Sequence, residues 1–400
     1  MHVSRRVILL GSTGSIGEST LDVMRHMRAL PDLDFELIGL GAGSRGQELI
    51  EQAREFGVDE ISIADSEVAA SLDFQGTMHV GPGSARELVE SIAKPGDLVV
   101  AAIVGSAGID AVLAAIDAGC DIALANKETL VAAGSIVMPR AAERGVHIIP
   151  VDSEHSAIYQ CLRGSDSDRE IRRIVITASG GPFRGRDRET VREATPEEAL
   201  AHPTWDMGQK ISIDSASMMN KALEVIEAHW LFDLPSDRIE VIVHPQSIVH
   251  SFVEYVDGSV LAQMGPPDMK TPIQYAMTWP HRMDGCSDRM DWKSLQSLVF
   301  EQLDHDVFPP VDMAREVIEL GGTAGAIFNA ANEVAVEAFL GGEILFGGIH
   351  DLVRQALDGI PVKQVHTIND IEEADSAARA LVRERIGDMV NRPATMGEDK

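Results

Sequence analysis

Cysteine is scarce, with only Cys120, Cys161 and Cys286 among 400 residues. An odd, widely spaced set offers neither a disulfide framework nor a cysteine zinc site, and it suits a reducing compartment. Long apolar runs are missing too, since nothing approaches the roughly 18 consecutive apolar residues of a membrane span. Positive charge is in short supply: 34 lysines and arginines, with arginine the commoner, face 63 acidic residues for a net charge of -29. That balance argues against a general nucleic-acid or anionic-membrane surface and favours solubility and self-repulsion. The amino terminus runs from Arg5-Arg6 straight into Val7-Ile8-Leu9-Leu10 and then glycine, too short and wrongly flanked for a signal peptide. A cytoplasmic chain is therefore expected. Its length and 44% hydrophobic content predict two or three well-cored domains.

The first third reads as alternating strand and helix, the pattern of an α/β domain. Residues 7–10 form a short buried strand, Gly11-Ser12-Thr13-Gly14-Ser15-Ile16-Gly17 a glycine loop, and 19–28 a helix through Leu21, Met24 and Met27. Glycines in such a loop let backbone amides approach a pyrophosphate, and the following helix presents its positive end. The Gly-x-x-Gly-x-x-Gly spacing departs from the commonest dinucleotide fingerprint, so a tight turn without a ligand is the competing reading. A second strand over 35–40 leads into Gly41-Ala42-Gly43-Ser44-Arg45. An NAD enzyme would place an acid there for the ribose hydroxyls, whereas Arg45 suits a 2′-phosphate and points to NADP; the alternative is a solvated charge at a helix start. Strands over 97–103 and 121–125 follow, the latter delivering Asn126-Lys127-Glu128 at its carboxyl end, the edge where open α/β sheets bind ligands.

Pro150-Val151-Asp152-Ser153-Glu154-His155 sets two carboxylates two residues apart after an apolar run. On a continuing strand Asp152 and Glu154 point the same way, and a divalent cation would relieve their repulsion. Equally, the stretch reads as a strand-to-helix turn with acids at the helix start, where the macrodipole favours them. On the strand reading His155 faces away and takes no part.

After an apolar strand over 171–178 the chain changes character. Ser179-Gly180-Gly181-Pro182-Phe183 opens a long polar segment reaching Trp205-Asp206-Met207-Gly208, whose one clear element is a short helix with Thr195 as N-cap, Pro196 at the first position and Glu198 closing a capping box. A poorly periodic segment hinged by Gly180-Gly181 reads as a lid, or else as a surface excursion. Beyond it, Met219, Leu223 and Ile226 form an apolar helical stripe, with Asn220 and Glu224 one turn apart and Lys221 beside them. Amide, ammonium and carboxylate at a helix start can hold a phosphate or a metal, or form a solvated Lys–Glu face. His244 and His250 flank Pro245-Gln246-Ser247 without a third soft ligand and read as structural. Met218 and Met219 read as core. From about 310 onward helices are expected, broken at Gly321-Gly322, Gly341-Gly342 and Gly347-Gly348, with a last helix over 372–390 and a disordered tail at 392–400. The Asn329-Ala330-Ala331-Asn332-Glu333 block is expected to pack toward the active site in a structural role.

Taken in order, the glycine loop, Ala125-Asn126-Lys127-Glu128, Val151-Asp152-Ser153-Glu154-His155, Ser179-Gly180-Gly181-Pro182-Phe183-Arg184, the run from Lys210 through Met218-Met219-Asn220-Lys221 to Glu224, and His244-Pro245-Gln246-Ser247 resemble the 1-deoxy-D-xylulose 5-phosphate reductoisomerase family over nearly the whole chain. The resemblance implies a Rossmann-like NADPH domain over 1–150, an α+β catalytic and dimerisation domain over 151–285 with a flexible lid at 180–208, a linker over 286–311 and a helical carboxy-terminal domain over 312–391. It implies NADPH-dependent isomerisation and reduction of 1-deoxy-D-xylulose 5-phosphate to 2-C-methyl-D-erythritol 4-phosphate on the non-mevalonate isoprenoid route, through retro-aldol and aldol steps before hydride transfer. Mg²⁺, Mn²⁺ or Co²⁺ is required, acting as a Lewis acid.

By the same resemblance the metal ligands are Asp152, Glu154 and Glu224. The phosphate falls to Ser179, Ser215, Asn220 and Lys221, with His202 on the lid, and the substrate hydroxyls to Lys127 and Ser153. Trp205 and Met207 cover substrate and nicotinamide. NADPH contacts map to Thr13, Gly14, Ser15, Ile16, Gly43, Ser44, Arg45, Asn126, Glu128 and Gly208. The partners implied are a small phosphosugar and a second copy of the chain in a homodimer, with no nucleic acid and no membrane.

The acidic excess also fits a high-salt setting. If self-repulsion is significant, added salt screens it and raises stability. Unfolding midpoints measured across a salt series should climb; a flat or falling series removes the idea.

Overall fold

The computed structural model describes residues 3–30, 33–164, 167–201 and 208–391. They form two compact units, the first drawn from 1–130, 137–177 and 247–298 and the second from 131–136, 178–246 and 299–400. These units are cut differently from the linear scheme with boundaries at 150, 285 and 311. His202, Trp205, Met207 and the expected tail at 392–400 lie outside the described residues.

The first unit is built on seven parallel strands: β1 Val3–Leu10, β2 Leu33–Ala42, β3 Glu60–Ile63, β4 Thr77–Val80, β5 Leu98–Ala101, β6 Asp121–Leu124 and β7 Ile148–Pro150. Their order is β4-β3-β2-β1-β5-β6-β7. Strand order therefore reverses beside β1, whose neighbours β2 and β5 both run parallel to it. A reversal opens a crevice at the carboxyl ends of the strands, where a dinucleotide binds in Rossmann-like folds. A parallel sheet is covered on both faces, which is why its central strands read as unbroken apolar runs; all four residues of β5 are buried.

Helix Ser15–Met27 contributes Leu21, Met24 and Met27 to the core of this sheet. So does helix Lys270–Thr278, through Ile273, Ala276 and Met277. That packing draws 247–298 back to the first unit although residues 178–246 of the second unit intervene in the chain. Antiparallel strands complete the unit: β8 Ile171–Ala178 pairs with β10 Val249–Tyr255, and β10 with β11 Val260–Met264. β8 spans the residues the sequence predicts.

In the second unit β9 Ile239–Val243 pairs antiparallel with the short β12 Glu301–Gln302. The rest is helical: Gln209–Ala216, Met219–Phe232, Pro310–Leu320, Ala324–Leu340, Phe346–Gly359 and Ile368–Asn391. The break at Gly321-Gly322 is present, both glycines having positive φ. The one expected at Gly347-Gly348 is not: both residues lie in the first turn of helix Phe346–Gly359. Gly347 is small there because the Arg192 side chain lies against it, with its Cγ and Cζ 2.8 Å from where a Cβ would stand. Phe346 packs edge-on against Phe183 at 5.1 Å and Phe339 at 5.3 Å between ring centroids, which ties the start of the polar segment to the helices. That segment holds helices Arg188–Arg192 and Pro196–Leu200, the second carrying the predicted capping box.

His350 is buried in this helical core, and its Nε2 lies 3.2 Å from the Ser217 carbonyl oxygen. A carbonyl only accepts, so Nε2 carries the proton. Burial pushes the imidazole down to about 4, with smaller help from Arg192 and Arg188 and against the Ser217 carbonyl and Asp351, which raise it. The unfolded chain then binds a proton that the folded one refuses. Stability from this group is complete above about pH 6.5 and drains away as pH falls toward 4, by up to about 3 kcal/mol. Denaturant unfolding of the wild type and His350→Gln between pH 7 and 4 checks this; equal pH slopes would refute it.

Candidate active site

Within the first unit the glycine loop lies directly at the end of β1. Gly11 has φ 87°, and its N–H and that of Ser12 both donate to the Gly41 carbonyl, at 2.8 and 2.9 Å. Gly17 sits so close to the loop that an added Cβ would stand 2.3 Å from Gly11 O and 2.4 Å from Ser12, so only glycine fits. Gly14 is the N-cap of helix Ser15–Met27, and no side chain caps that helix. Its first-turn N–H groups therefore suit an anion. The loop is braced from below by Gln52: Ser12 Oγ donates to Gln52 Oε1 at 2.7 Å, and Gln52 Nε2 donates back to Ser12 O at 3.3 Å. Sequence reading missed Gln52, because its partner is 40 residues away and nothing local marks it.

Gly43 and Ser44 are exposed after β2. Arg45 caps helix Gly46–Phe56 and lies 3.2 Å from Glu48 and 3.6 Å from Glu18. Burial first, and a hydrogen bond shared with Glu18 second, raise the Glu48 carboxyl above its usual range. Arg45 therefore already has carboxylate company where the 2′-phosphate is expected. Asn126 is nearly fully buried and its amide is committed: it donates to Ile103 O and Gly105 O and accepts from both the N–H and the hydroxyl of Thr129. It shapes the loop after β5 rather than presenting a free side chain.

The strand reading of Asp152 and Glu154 does not hold. β7 ends at Pro150, Asp152 is the N-cap of helix Ser153–Cys161, and Glu154 lies in its first turn. The acids thus occupy the strand-to-helix turn, still at the carboxyl edge of the parallel sheet. Lys127, at the N-cap of helix Glu128–Arg144, is buried and pairs with Asp152 at 2.6 Å. Ser153 Oγ donates to Glu154 at 2.5 Å. His155 is fully buried, and since no strand continues here, the alternation that set it apart does not apply.

The second unit gathers the remaining described residues. Gly181 has φ 63°, and an added Cβ would stand 3.0 Å from Ser215 O. The turn carrying Ser179 is thereby pressed against the end of helix Gln209–Ala216, whose N-cap is Gly208. Helix Met219–Phe232 follows at once, and it is buried on almost every side. Lys221 is 4% and Glu224 1% exposed, so the solvated-face reading fails. Lys221 Nζ pairs with Glu224, which also accepts from Asn220 Nδ2 at 2.5 Å. Met218 and Met219 are core, as expected. His244 is buried, stacked on Phe300 and bonded through Nδ1 to the Val299 carbonyl, a structural setting.

Family models for 1-deoxy-D-xylulose 5-phosphate reductoisomerase match residues 7–134, and models for its carboxy-terminal domains match 148–232 and 264–381. Curated reductoisomerases of that name from Symbiobacterium thermophilum and Paraburkholderia xenovorans are each 48% identical, over 96% of this chain and 99% and 96% of theirs. The chain belongs to the 1-deoxy-D-xylulose 5-phosphate reductoisomerase family. Among solved structures, a reductoisomerase in complex with NADPH, fosmidomycin and magnesium superposes with a TM-score of 0.90 at 39% identity, covering 97% of this chain and all of that one. The reductoisomerase of Zymomonas mobilis in complex with NADPH gives 0.86 at 41% identity, covering 96% and 99%. Family membership agrees with what the two units offer: a glycine loop at a strand-order reversal, and carboxylates each beside a buried lysine.

The close approach at Gly17 gives a direct check. Gly17→Ala should weaken NADPH binding about tenfold or more, because the loop must move off its Gln52 brace. Cofactor fluorescence titration measures this, and an unchanged affinity would show that the loop does not hold the cofactor.

Proposed function

We infer that this chain converts 1-deoxy-D-xylulose 5-phosphate to 2-C-methyl-D-erythritol 4-phosphate, an isomerisation followed by reduction in isoprenoid precursor synthesis, using NADPH and a divalent metal. The observation that carries this is full-length identity of 48% to reductoisomerases of that name, joined to the chemistry of the side chains above.

The donor set fits a hard cation. Asp152, Glu154 and Glu224 offer carboxylate oxygens, which suit Mg²⁺, Mn²⁺ or Co²⁺ better than soft metals. Glu224, 1% exposed, points the same way: its negative charge is taken out of water, and positive charge must answer it. A divalent cation on these carboxylates supplies Lewis-acid polarisation of the substrate's oxygens. For NADPH, the tight Gly11–Gly17 approach and the uncapped helix start fit a pyrophosphate, and the bound cofactor supplies the hydride.

The protein's own groups do the rest. Ser179, Ser215, Asn220 and Lys221, with His202 from the lid, bind the substrate phosphate. An ammonium has three donors, so Lys221 can keep its bond to Glu224 and still meet a phosphate oxygen. Lys127 and Ser153 orient the substrate hydroxyls. Trp205 and Met207 exclude water over the reacting carbons. Thr13, Gly14, Ser15, Ile16, Gly43, Ser44, Arg45, Glu128 and Gly208 contact the cofactor, while Asn126 acts by holding the loop behind it. Along the chain, the roles follow a scheme of NADPH binding over 1–150, catalysis and dimerisation over 151–285 with a lid at 180–208, a linker over 286–311 and a helical domain over 312–391. The working form is a cytoplasmic homodimer. No helix among the described residues is long and apolar enough to cross a membrane.

NADPH oxidation should require both 1-deoxy-D-xylulose 5-phosphate and a divalent ion. Oxidation that resists a chelator would sink the metal role, and its absence under all conditions would sink the activity. Glu224→Gln should cut turnover at limiting Mg²⁺ by at least about 100-fold while NADPH affinity stays unchanged. Near-normal turnover there would displace Glu224 from the ligand set.

A further inference from the structure

Two buried polar side chains from the carboxy-terminal helices end on the short stretch that carries the phosphate-binding residues, and the reaction as described uses neither. Helix Gln209–Ala216 ends beside Ser217, Met218 turns the chain with φ 62°, and helix Met219–Phe232 starts immediately. A left-handed conformation at a bulky residue is unfavourable and persists only where its surroundings over-determine it. The surroundings here are specific. Asp214, 1% exposed, receives Lys210 Nζ at 2.8 Å from one turn earlier and Asn332 Nδ2 at 2.8 Å from helix Ala324–Leu340. The Ser217 carbonyl receives His350 Nε2 at 3.2 Å from helix Phe346–Gly359. Ser217 Oγ donates to Asp214 O at 3.2 Å and accepts from Met219 N–H at 3.3 Å, closing the turn on itself.

Asn332 is fully buried and His350 is 5% exposed. Apolar side chains of similar volume would pack these helices without the cost of desolvating an amide and an imidazole. What the polar pair adds is direction: Asn332 fixes the Asp214 carboxylate in the last turn of helix Gln209–Ala216, and His350 fixes the Ser217 carbonyl just after it. Ser215 follows Asp214 at once, and Asn220 and Lys221 lie three and four residues beyond Ser217. A displacement of about 1 Å at this turn would spoil all three phosphate contacts together.

We propose that Asn332 and His350 are positioning residues for the substrate phosphate, holding the 214–219 turn so that Ser215, Asn220 and Lys221 converge on one anion. The proposal rests on the phosphate-site reading given above. It gives the carboxy-terminal helices a part in substrate binding, carried by two hydrogen bonds and not by packing alone.

The test compares Asn332→Leu, Asn332→Ser, His350→Phe and His350→Gln with Ser215→Ala in the full-length enzyme. Measured for each are KM for 1-deoxy-D-xylulose 5-phosphate, competitive inhibition by inorganic phosphate, NADPH affinity by fluorescence and the melting temperature. Asn332→Leu and His350→Phe should raise KM about tenfold and weaken phosphate inhibition by a similar factor, with NADPH affinity within about twofold of wild type. His350→Gln keeps a donor near the Nε2 position and should recover most of the loss. Should Asn332→Leu fail to fold, Asn332→Ser carries the same expectation with a smaller change of volume. Unchanged KM in folded variants overturns the proposal. So does a loss of substrate and NADPH binding together in step with melting temperature, which marks a purely structural role. If Ser215→Ala leaves KM and phosphate inhibition unchanged, the phosphate-site reading itself falls, an outcome distinct from failure of Asn332 and His350 alone.

Discussion

Carboxylates answered by buried lysines are the constraint on which the rest of this structure turns. Lys127, Lys221 and Glu224 are buried and Asp152 is partly so, in a chain with a large acidic excess. Removing an ion from water costs several kcal/mol even after relaxation, so such pairs persist only with close partners and a frame that does not let them separate. That requirement explains the placement of both lysines: Lys127 at a helix N-cap after β6, and Lys221 in the first turn of a helix buried on almost every side.

The frame is made of backbone. β1 ends against Gly41, the loop closes on Gly17 with no room for a side chain, and Gln52 ties the loop to the neighbouring helix. In the second unit Gly181 lets the Ser179 turn lie on Ser215, and Met218 accepts a strained conformation so that one helix can follow another without a linker. Each device shortens the distance over which a functional side chain could wander. The helices beyond residue 310 extend the same logic, with Asn332 and His350 reaching polar atoms of a turn that packing alone would leave less defined.

Much of the site was legible in the sequence where the relevant chemistry is local. The glycine loop after an apolar strand, the Thr195–Glu198 capping box and the strand over 171–178 depend on residues within a few positions of one another. For Asp152 and Glu154 two readings stood level, a continuing strand and a helix start, because a three-residue strand followed by a helix start looks the same over six residues as a continuing strand; the structure has the helix start. Lys221 and Glu224 showed helical spacing, yet spacing alone cannot tell a helix with one wet face from one enclosed on all sides.

By itself the sequence determined the order of elements, the glycine loop and the acid–lysine vocabulary of the site, since these follow from short-range periodicity and residue chemistry. Only the tertiary structure decided which charges are buried and what braces them. Ser12 and Gln52 are 40 residues apart, Asp214 and Asn332 118, and Ser217 and His350 133. No local pattern couples positions so far apart; a folded core that excludes water does, because each buried polar group must then find its partner wherever the fold has put one.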